Sequence, residues 1–277
     1  MKTREKALLW GLGGAVCAGL GLVWMCAPAG SDRERRAPFE KRYFAHRGLY
    51  DADAGIPENS LAAFRAAAEH GYGAELDVRL TRDGAAVISH DACLSRMTGA
   101  ELTVEECDWE QLSQLRLQGT DQGIPLFSDA LDILCGAGVP VIVEVKAGPT
   151  ERREALCAET LSVIDGHEGE ICVESFDPRI VRWFRFNAPD LLRGQLIDRV
   201  KNPTARPFIH WMCAHGLLNF LGRPHFIAHS TAKKTLTVRL AEALGAMRVC
   251  WTVRNRRRER SSDAMIFERF RPPVRYL

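Results

Sequence analysis

"YFAHRGLYDADAGIPENSLAAFRAAAEHGYGAELDVRL", residues 43–80, reads as strand, turn-rich loop, helix, strand. "YFAH" is a short apolar run, "NSLAAFRAAAEH" places apolar residues three and four apart behind an Asn-Ser start, and "AELDVRL" alternates apolar and polar residues. The same alternation continues through "VIVEVK", "ICVESF", "RGQLI", "HFIAH", "RVCWTV" and "AMIFE", separated by helical stretches such as "LFSDALDILCG", "ERREALCAETLSVI", "PRIVRWFRF" and "TLTVRLAEAL". Eight strands with intervening helices over residues 43–277 predict parallel βαβ units closing into an α/β (β/α)8 TIM barrel, whose usual length is roughly 250 residues. An open doubly wound sheet is the alternative arrangement of the same units.

One place breaks the pattern. In "AELDVRLTRDGAAVISHD", residues 74–91, two strands are joined by "TRDG", far too short for a crossover helix. The segment therefore predicts a short hairpin insertion after strand 2, whose return arm carries His90 back beside Asp77.

Residues two apart on a strand share a face, so Glu75 pairs with Asp77 and Glu144 with Lys146. One such pair is explained by an exposed edge or an internal ion pair. Two pairs on separate barrel strands, each followed by a loop on the same rim, favour a cation site, and oxygen ligands select a hard ion such as Mg2+ or Ca2+. His46 and His90 each close a strand run beside a charged neighbour, Arg47 or Asp91. Imidazoles there suit proton transfer near neutral pH, although a single histidine at a strand end equally fits a structural role. Arg47 offers a planar fork for a phosphate, and Gly48 lets backbone come close.

Charge is nearly balanced, 37 basic against 35 acidic residues, and the first 42 residues hold eight basic and four acidic ones. The remainder, 29 against 31, lacks the basic excess of a nucleic-acid binder. Residues 7–29 carry no charge and are long enough for a transmembrane helix, so residues 1–30 read as a membrane anchor and 31–42 as a basic juxtamembrane linker. A cleaved secretory signal is the competing reading. Basic residues on both flanks, and nine cysteines without a CxxC pair, lean toward a catalytic domain on the cytoplasmic face of the membrane. No protein partner is evident. "RNRRRER", residues 254–260, reads as a solvated loop or a contact for anionic headgroups, and "HWMCAH", 210–215, as packing rather than a zinc site.

The ordered blocks "AHRG", "PENSLAAF", "ELDVRLTRDG", "VISHD", "LSRMTG", "IPLFSDAL", "VEVK", "VESF" and "WTVRN" resemble the glycerophosphodiester phosphodiesterase family over essentially all of residues 43–277. The resemblance implies a metal-dependent phosphodiesterase that hydrolyses glycerophosphodiesters to an alcohol and sn-glycerol 3-phosphate. It implies His46 and His90 as the acid-base pair, Glu75, Asp77 and Glu144 as ligands of one divalent cation, and Arg47 and Lys146 as phosphate contacts. Phe176 and Trp251 match positions that line the substrate pocket or pack in the core. The chain departs from the family in "IPLFSDAL", where Phe127 and Ser128 replace acids, and in "IFERF", where Glu268 stands near the expected threonine-aspartate pair. A lysophospholipase D-type activity on lysolipids at the membrane, and a catalytically silent barrel that binds phosphodiesters there, are the alternatives.

Overall fold

The computed structural model describes residues 3–30, 33–198 and 207–277. Nine strands form its sheet: β1 (Arg42–His46), β2 (Gly73–Leu80), β3 (Ala86–Ile88), β4 (Val141–Val145), β5 (Ile171–Ser175), β6 (Leu192–Ile197), β7 (Phe226–Ser230), β8 (Met247–Val253) and β9 (Ala264–Phe267). All pair in parallel except β3, which runs antiparallel to β2. Because β1 pairs with both β2 and β9, the eight parallel strands close into a barrel, which excludes the open sheet.

The pleat sorts side chains between the two faces. Phe44, Ile142, Cys172, Leu196, Phe226, Val249 and Ile266 fill the barrel interior, while Tyr43, Ala45, Leu76, Val78, Val141 and Val143 face the outer helices. Phe226 fits inside because β6 carries Gly194: a Cβ there would lie 2.0 Å from Phe226 Cε2. Phe39, buried in the interior cluster and stacked on Phe44 with ring centres 6.1 Å apart, joins the packing at the N-terminal end of the strands.

The helices expected from apolar spacing form at Leu61–Glu69, Phe127–Gly136, Arg153–Asp165, Pro178–Asn187 and Leu236–Ala243. Their starts follow local chemistry. Ser60 Oγ accepts from Ala63 N at 3.1 Å, and Asp177 Oδ1 accepts from Arg179 N at 2.9 Å beside a proline in the first turn. Phe127, where acids were expected, is buried at the start of its helix. The outer ring is less regular than a full (β/α)8 pattern. Only a 3-10 turn, Arg256–Ser261, joins β8 to β9, and after β9 the tail runs back along β1, with Tyr43 N donating to Val274 O at 3.1 Å.

The hairpin is as expected. Thr81 N donates to Ala85 O, and Val78 lies opposite Ile88. The segment that follows builds its own small core from Val87, Leu94, Met97, Val104, Leu112, Leu117 and Ile124.

The transmembrane expectation is corrected. Among the described residues no helix is long and apolar enough to cross a membrane. The helix Thr3–Cys26 ends against the barrel: Cys26 is buried with Ile197, Leu217, Ile227 and Val238, and Trp24 stacks on Phe220 with ring centres 4.9 Å apart. Arg223 donates to the carbonyls of Trp24 and Ala27, and Ala29 N to Pro224 O. The last part of the expected span is therefore fixed to the domain by packing and hydrogen bonds. The single-pass anchor and the membrane localisation with its cytoplasmic-face lean are corrected by the same finding, and nothing among the described residues supports the bilayer as a partner. Of the linker 31–42, residues 31 and 32 lie outside the described residues, and Arg33–Arg36 form a short helix leading to Phe39.

Candidate active site

At the C-terminal ends of the strands a cleft of about 320 Å³ is lined by His46, Arg47, Glu75, His90, Glu144, Lys146, Glu174, Phe176, Trp251, Arg254 and Glu268, among others. The position follows from strand parity. Phe44, Ile142 and Cys172 occupy the interior, so the next inward positions toward the rim on the same strands are His46, Glu144 and Glu174. Register places Glu75 beside His46, Asp77 beside Glu144, and Glu144 beside Glu174.

Glu75, Asp77 and Glu144 are buried, and each offers a ligand oxygen within 4.8 Å of the others. Lys146 Nζ sits 2.9 Å from Asp77 Oδ1 and 2.8 Å from Glu144 Oε1. Arg47 N donates to Glu75 Oε2 at 3.0 Å, Arg47 Nη1 to Glu58 Oε1 at 2.7 Å, and Arg47 Nε lies 3.6 Å from Asp77 Oδ2. Asn59 Nδ2 donates to that same Asp77 oxygen at 2.7 Å. Both cations assigned to phosphate thus already face carboxylates at the floor of the cleft.

The acids divide by their neighbours. Burial would raise Asp77, but Lys146, His90 and Arg47 together hold it well below the usual carboxylate range. Burial raises Glu75 well above that range, helped by the charges of Asp77, Glu144 and Glu174. Burial likewise lifts Glu144, to about 7, with Lys146 pulling the other way. Glu174 is raised by burial and then by Glu144, and its Oε2 has no hydrogen-bond partner among the described residues. Four buried carboxyl groups thus face two permanent cations, Arg47 and Lys146. A further positive charge would stabilise the ionised acids, and three converging carboxylates are the donor set a hard divalent cation takes, so these residues fit such an ion.

Each histidine is tied to an acid through Nδ1. His46 Nδ1 lies 3.2 Å from Glu268 Oε2, and His46 Nε2 lies 3.9 Å from Glu75 Oε2. His90 Nδ1 lies 2.7 Å from Asp91 Oδ1, whose other oxygen accepts from Arg96 Nε at 2.6 Å. Arg96 Nη2 also donates to Glu58, which links the loop after β1 to the hairpin segment. Arg79 Nε and Nη2 donate to the His90 carbonyl, fixing its backbone. Burial lowers the His90 imidazole below its ordinary value, Asp77 opposes this, and Lys146 and Arg47 add to it. Glu268 is depressed to about 2, chiefly by its bond to His46, with Arg254 and Tyr50 also donating to it.

All nine residues singled out in the sequence meet at this cleft or, for Asp77, directly beneath its lining. Phe176 and Trp251 form one wall, edge to face with centres 5.7 Å apart, and Trp251 Nε1 donates to Ala228 O. Glu58, Asn59, Tyr50 and Glu174 were not singled out, and Arg254 only as the first residue of an arginine-rich run. Glu174 was legible, since its position on β5 has the same inward parity as Glu144. The others lie on loops, where no periodicity reports direction. Of "RNRRRER", Arg254 lines the cleft, Arg258 reaches Thr231 O in the loop after β7, and Glu259 accepts from Tyr43 OH and Arg256 on the outer face of β1.

Fold and site together define a parallel α/β barrel with an acid-rich polar centre at the carboxyl ends of its strands. The glycerophosphoryl diester phosphodiesterase family profile matches residues 46–269, and the chain belongs to that family. A probable glycerophosphodiester phosphodiesterase 2 from Mycobacterium tuberculosis is 39% identical over 104 residues, covering 37% of this chain and 38% of that protein. A protein named lysophospholipase D GDPD1 from Rattus norvegicus is 30% identical over 132 residues, 43% of this chain and 40% of that one. The matched stretch thus spans about two-fifths of these relatives. Among solved structures, an Oleispira antarctica phosphodiesterase in complex with the product sn-glycerol 3-phosphate aligns with a TM-score of 0.67 at 20% identity, over 82% of this chain and 93% of that one. A Thermotoga maritima glycerophosphodiester phosphodiesterase aligns at 0.62 and 25% identity, over 81% and 93%.

Proposed function

We propose that residues 43–277 form a catalytic domain that hydrolyses glycerophosphodiesters to an alcohol and sn-glycerol 3-phosphate. The observation that carries this reading is the convergence, in one cleft, of two carboxylate-tied imidazoles with a buried acid triad and two cations. Family membership and the product bound in the Oleispira antarctica structure support the substrate class.

Cleaving a phosphodiester requires offsetting charge on the phosphoryl oxygens, deprotonating the attacking oxygen and protonating the leaving alkoxide. Glu75, Asp77 and Glu144 would hold one divalent cation, Mg2+ or Ca2+, which when bound supplies positive charge against the phosphoryl group. Arg47 and Lys146 add to that charge from the floor. His46 and His90 each commit Nδ1–H to a carboxylate, which leaves Nε2 as the atom that exchanges a proton with substrate. One takes the proton of the attacking oxygen, and the other returns one to the leaving alcohol. Glu268 and Asp91 hold the tautomers that make this possible.

A lysophospholipase D-type reaction is the second reading, favoured by the rat relative and by Phe176, which stays 40% exposed at the cleft wall, where an acyl-bearing substrate would meet it. A silent phosphodiester-binding barrel would have no use for both tied imidazoles. Incubating the protein with glycerophosphodiesters and lysolipids in the presence of Mg2+ or Ca2+, and measuring glycerol 3-phosphate and free headgroup, tests the assignment. His46→Ala and His90→Ala are each expected to lower turnover by at least about a hundredfold with the fold retained. Near wild-type rates in either variant would refute the acid-base roles.

A further inference from the structure

We propose that the rim sector formed by the loops after β7, β8 and β9 selects glycerophosphodiesters whose alcohol carries a negative group. This rests on the activity proposed above and adds the class of alcohol.

These three strands are neighbours in the barrel, so their following loops share one side of the cleft mouth. Arg254, directly after β8, lines the cleft with its side chain 60% exposed and donates through Nε and Nη2 to Glu268 Oε1 at 2.8 and 2.6 Å. Arg269, after β9, is 68% exposed and brings Nε to 3.6 Å from the same oxygen. Arg258 is exposed and donates through Nη2 to Thr231 O in the loop after β7, where Lys233 is exposed as well.

The acids in this sector are already committed. Glu268 is buried and spends its second oxygen on His46 and Tyr50. Asp198, at the end of β6, accepts from Ser230 Oγ. Two further ion pairs, Arg256 with Glu259 and Lys234 with Glu242, are internally neutral. Half-buried Asp51 and exposed Asp53 belong to the loop after β1, the neighbouring sector. The β7–β9 sector therefore presents a net positive charge to whatever leaves the cleft.

With the phosphodiester held at the floor, the alcohol extends outward past this sector. A carboxylate or phosphate on it would meet guanidinium forks with free N–H groups, and a quaternary ammonium would meet repulsion. The aromatic wall argues the other way, since rings attract quaternary ammonium ions through their faces. Phe176 and Trp251 stack edge to face, so they do not form an open box, and Arg254 lies three residues beyond Trp251.

The test compares kcat/KM for glycerophosphoglycerol, its terminal phosphate monoester and glycerophosphocholine, at low and high salt, in the wild type and in Arg258→Glu/Arg269→Glu. The phosphorylated substrate is expected to be preferred over the choline substrate by about tenfold or more at low salt, the worth of one charge-assisted hydrogen bond. The ratio should shrink at high salt and fall further in the variant. Equal constants for the three, or preference for choline, would overturn the inference while leaving the phosphodiesterase assignment standing. Hydrolysis of none of them would overturn both.

Discussion

At Glu268 one carboxylate gathers His46 Nδ1, Tyr50 OH and two nitrogens of Arg254. Its consequence is orientation: a histidine that donates from Nδ1 to a fixed anion presents Nε2 to the cleft. Glu268→Gln keeps an acceptor but loses the charge, and its amide can equally offer a donor to the imidazole. Turnover is expected to fall roughly tenfold to a hundredfold, the usual weight of such partners, with KM moving far less than kcat. An unchanged kcat would remove Glu268 from the positioning of His46. Residues on strands were legible because parity reports the face, as it did for Glu75, Asp77, Glu144 and Lys146. Glu58 and Asn59 were hidden because they act from a loop whose shape depends on Arg47 with φ 56° and Asn59 with φ 54°, conformations that no hydrophobic pattern encodes.

Elements were more legible than their exceptions. Runs such as "VIVEV" are buried from end to end and lie between helices, which is the signature of a parallel strand. Phe39 was missed because its role depends on the barrel's closure, a contact that no local window contains. The tail that replaces a last helix was missed for the same reason, since Tyr276 is buried by packing on Tyr43 across the whole length of the sequence. Gly194 on β6 is the clearest constraint at this scale. Gly194→Ala drives a methyl into the Phe226 ring and should cost about 1–3 kcal/mol in denaturant unfolding, the range for overpacking. Unchanged stability would mean that Phe226 has room to move aside. The link between β8 and β9 carries a pH signature. Arg248 grips Asp263 through Nε at 3.0 Å and Nη2 at 2.6 Å, while the Arg248 backbone N donates at 2.8 Å. Burial opposes ionisation, but these bonds depress the Asp263 carboxyl. Its stabilisation is therefore complete above the ordinary aspartate value of about 3.9 and is lost as pH falls through the lower folded value. In Asp263→Asn, stability at neutral pH should drop and the acid-side slope should flatten. An identical acid limb would assign acid unfolding to other groups.

For the whole molecule, charge placement says more than net charge. Formal charge is only +2, yet buried acids collect at the floor of the cleft and arginines at one side of its mouth. The N-terminal apolar stretch shows the limit of composition as a guide. Its length and lack of charge in the sequence predict a span, yet among the described residues no helix is long and apolar enough to cross a membrane, and the helix end is packed onto the barrel through Cys26. The barrel itself was legible because eight strands of one type leave few other ways to bury their faces. The proposed chemistry depends on Glu75, Asp77 and Glu144 holding a divalent cation that the reaction needs. The measurement is glycerol 3-phosphate release after chelator treatment, and again after adding back Mg2+ or Ca2+. Activity is expected to be lost and then restored in the wild type, with no restoration in Asp77→Asn. Full activity in excess chelator would contradict it.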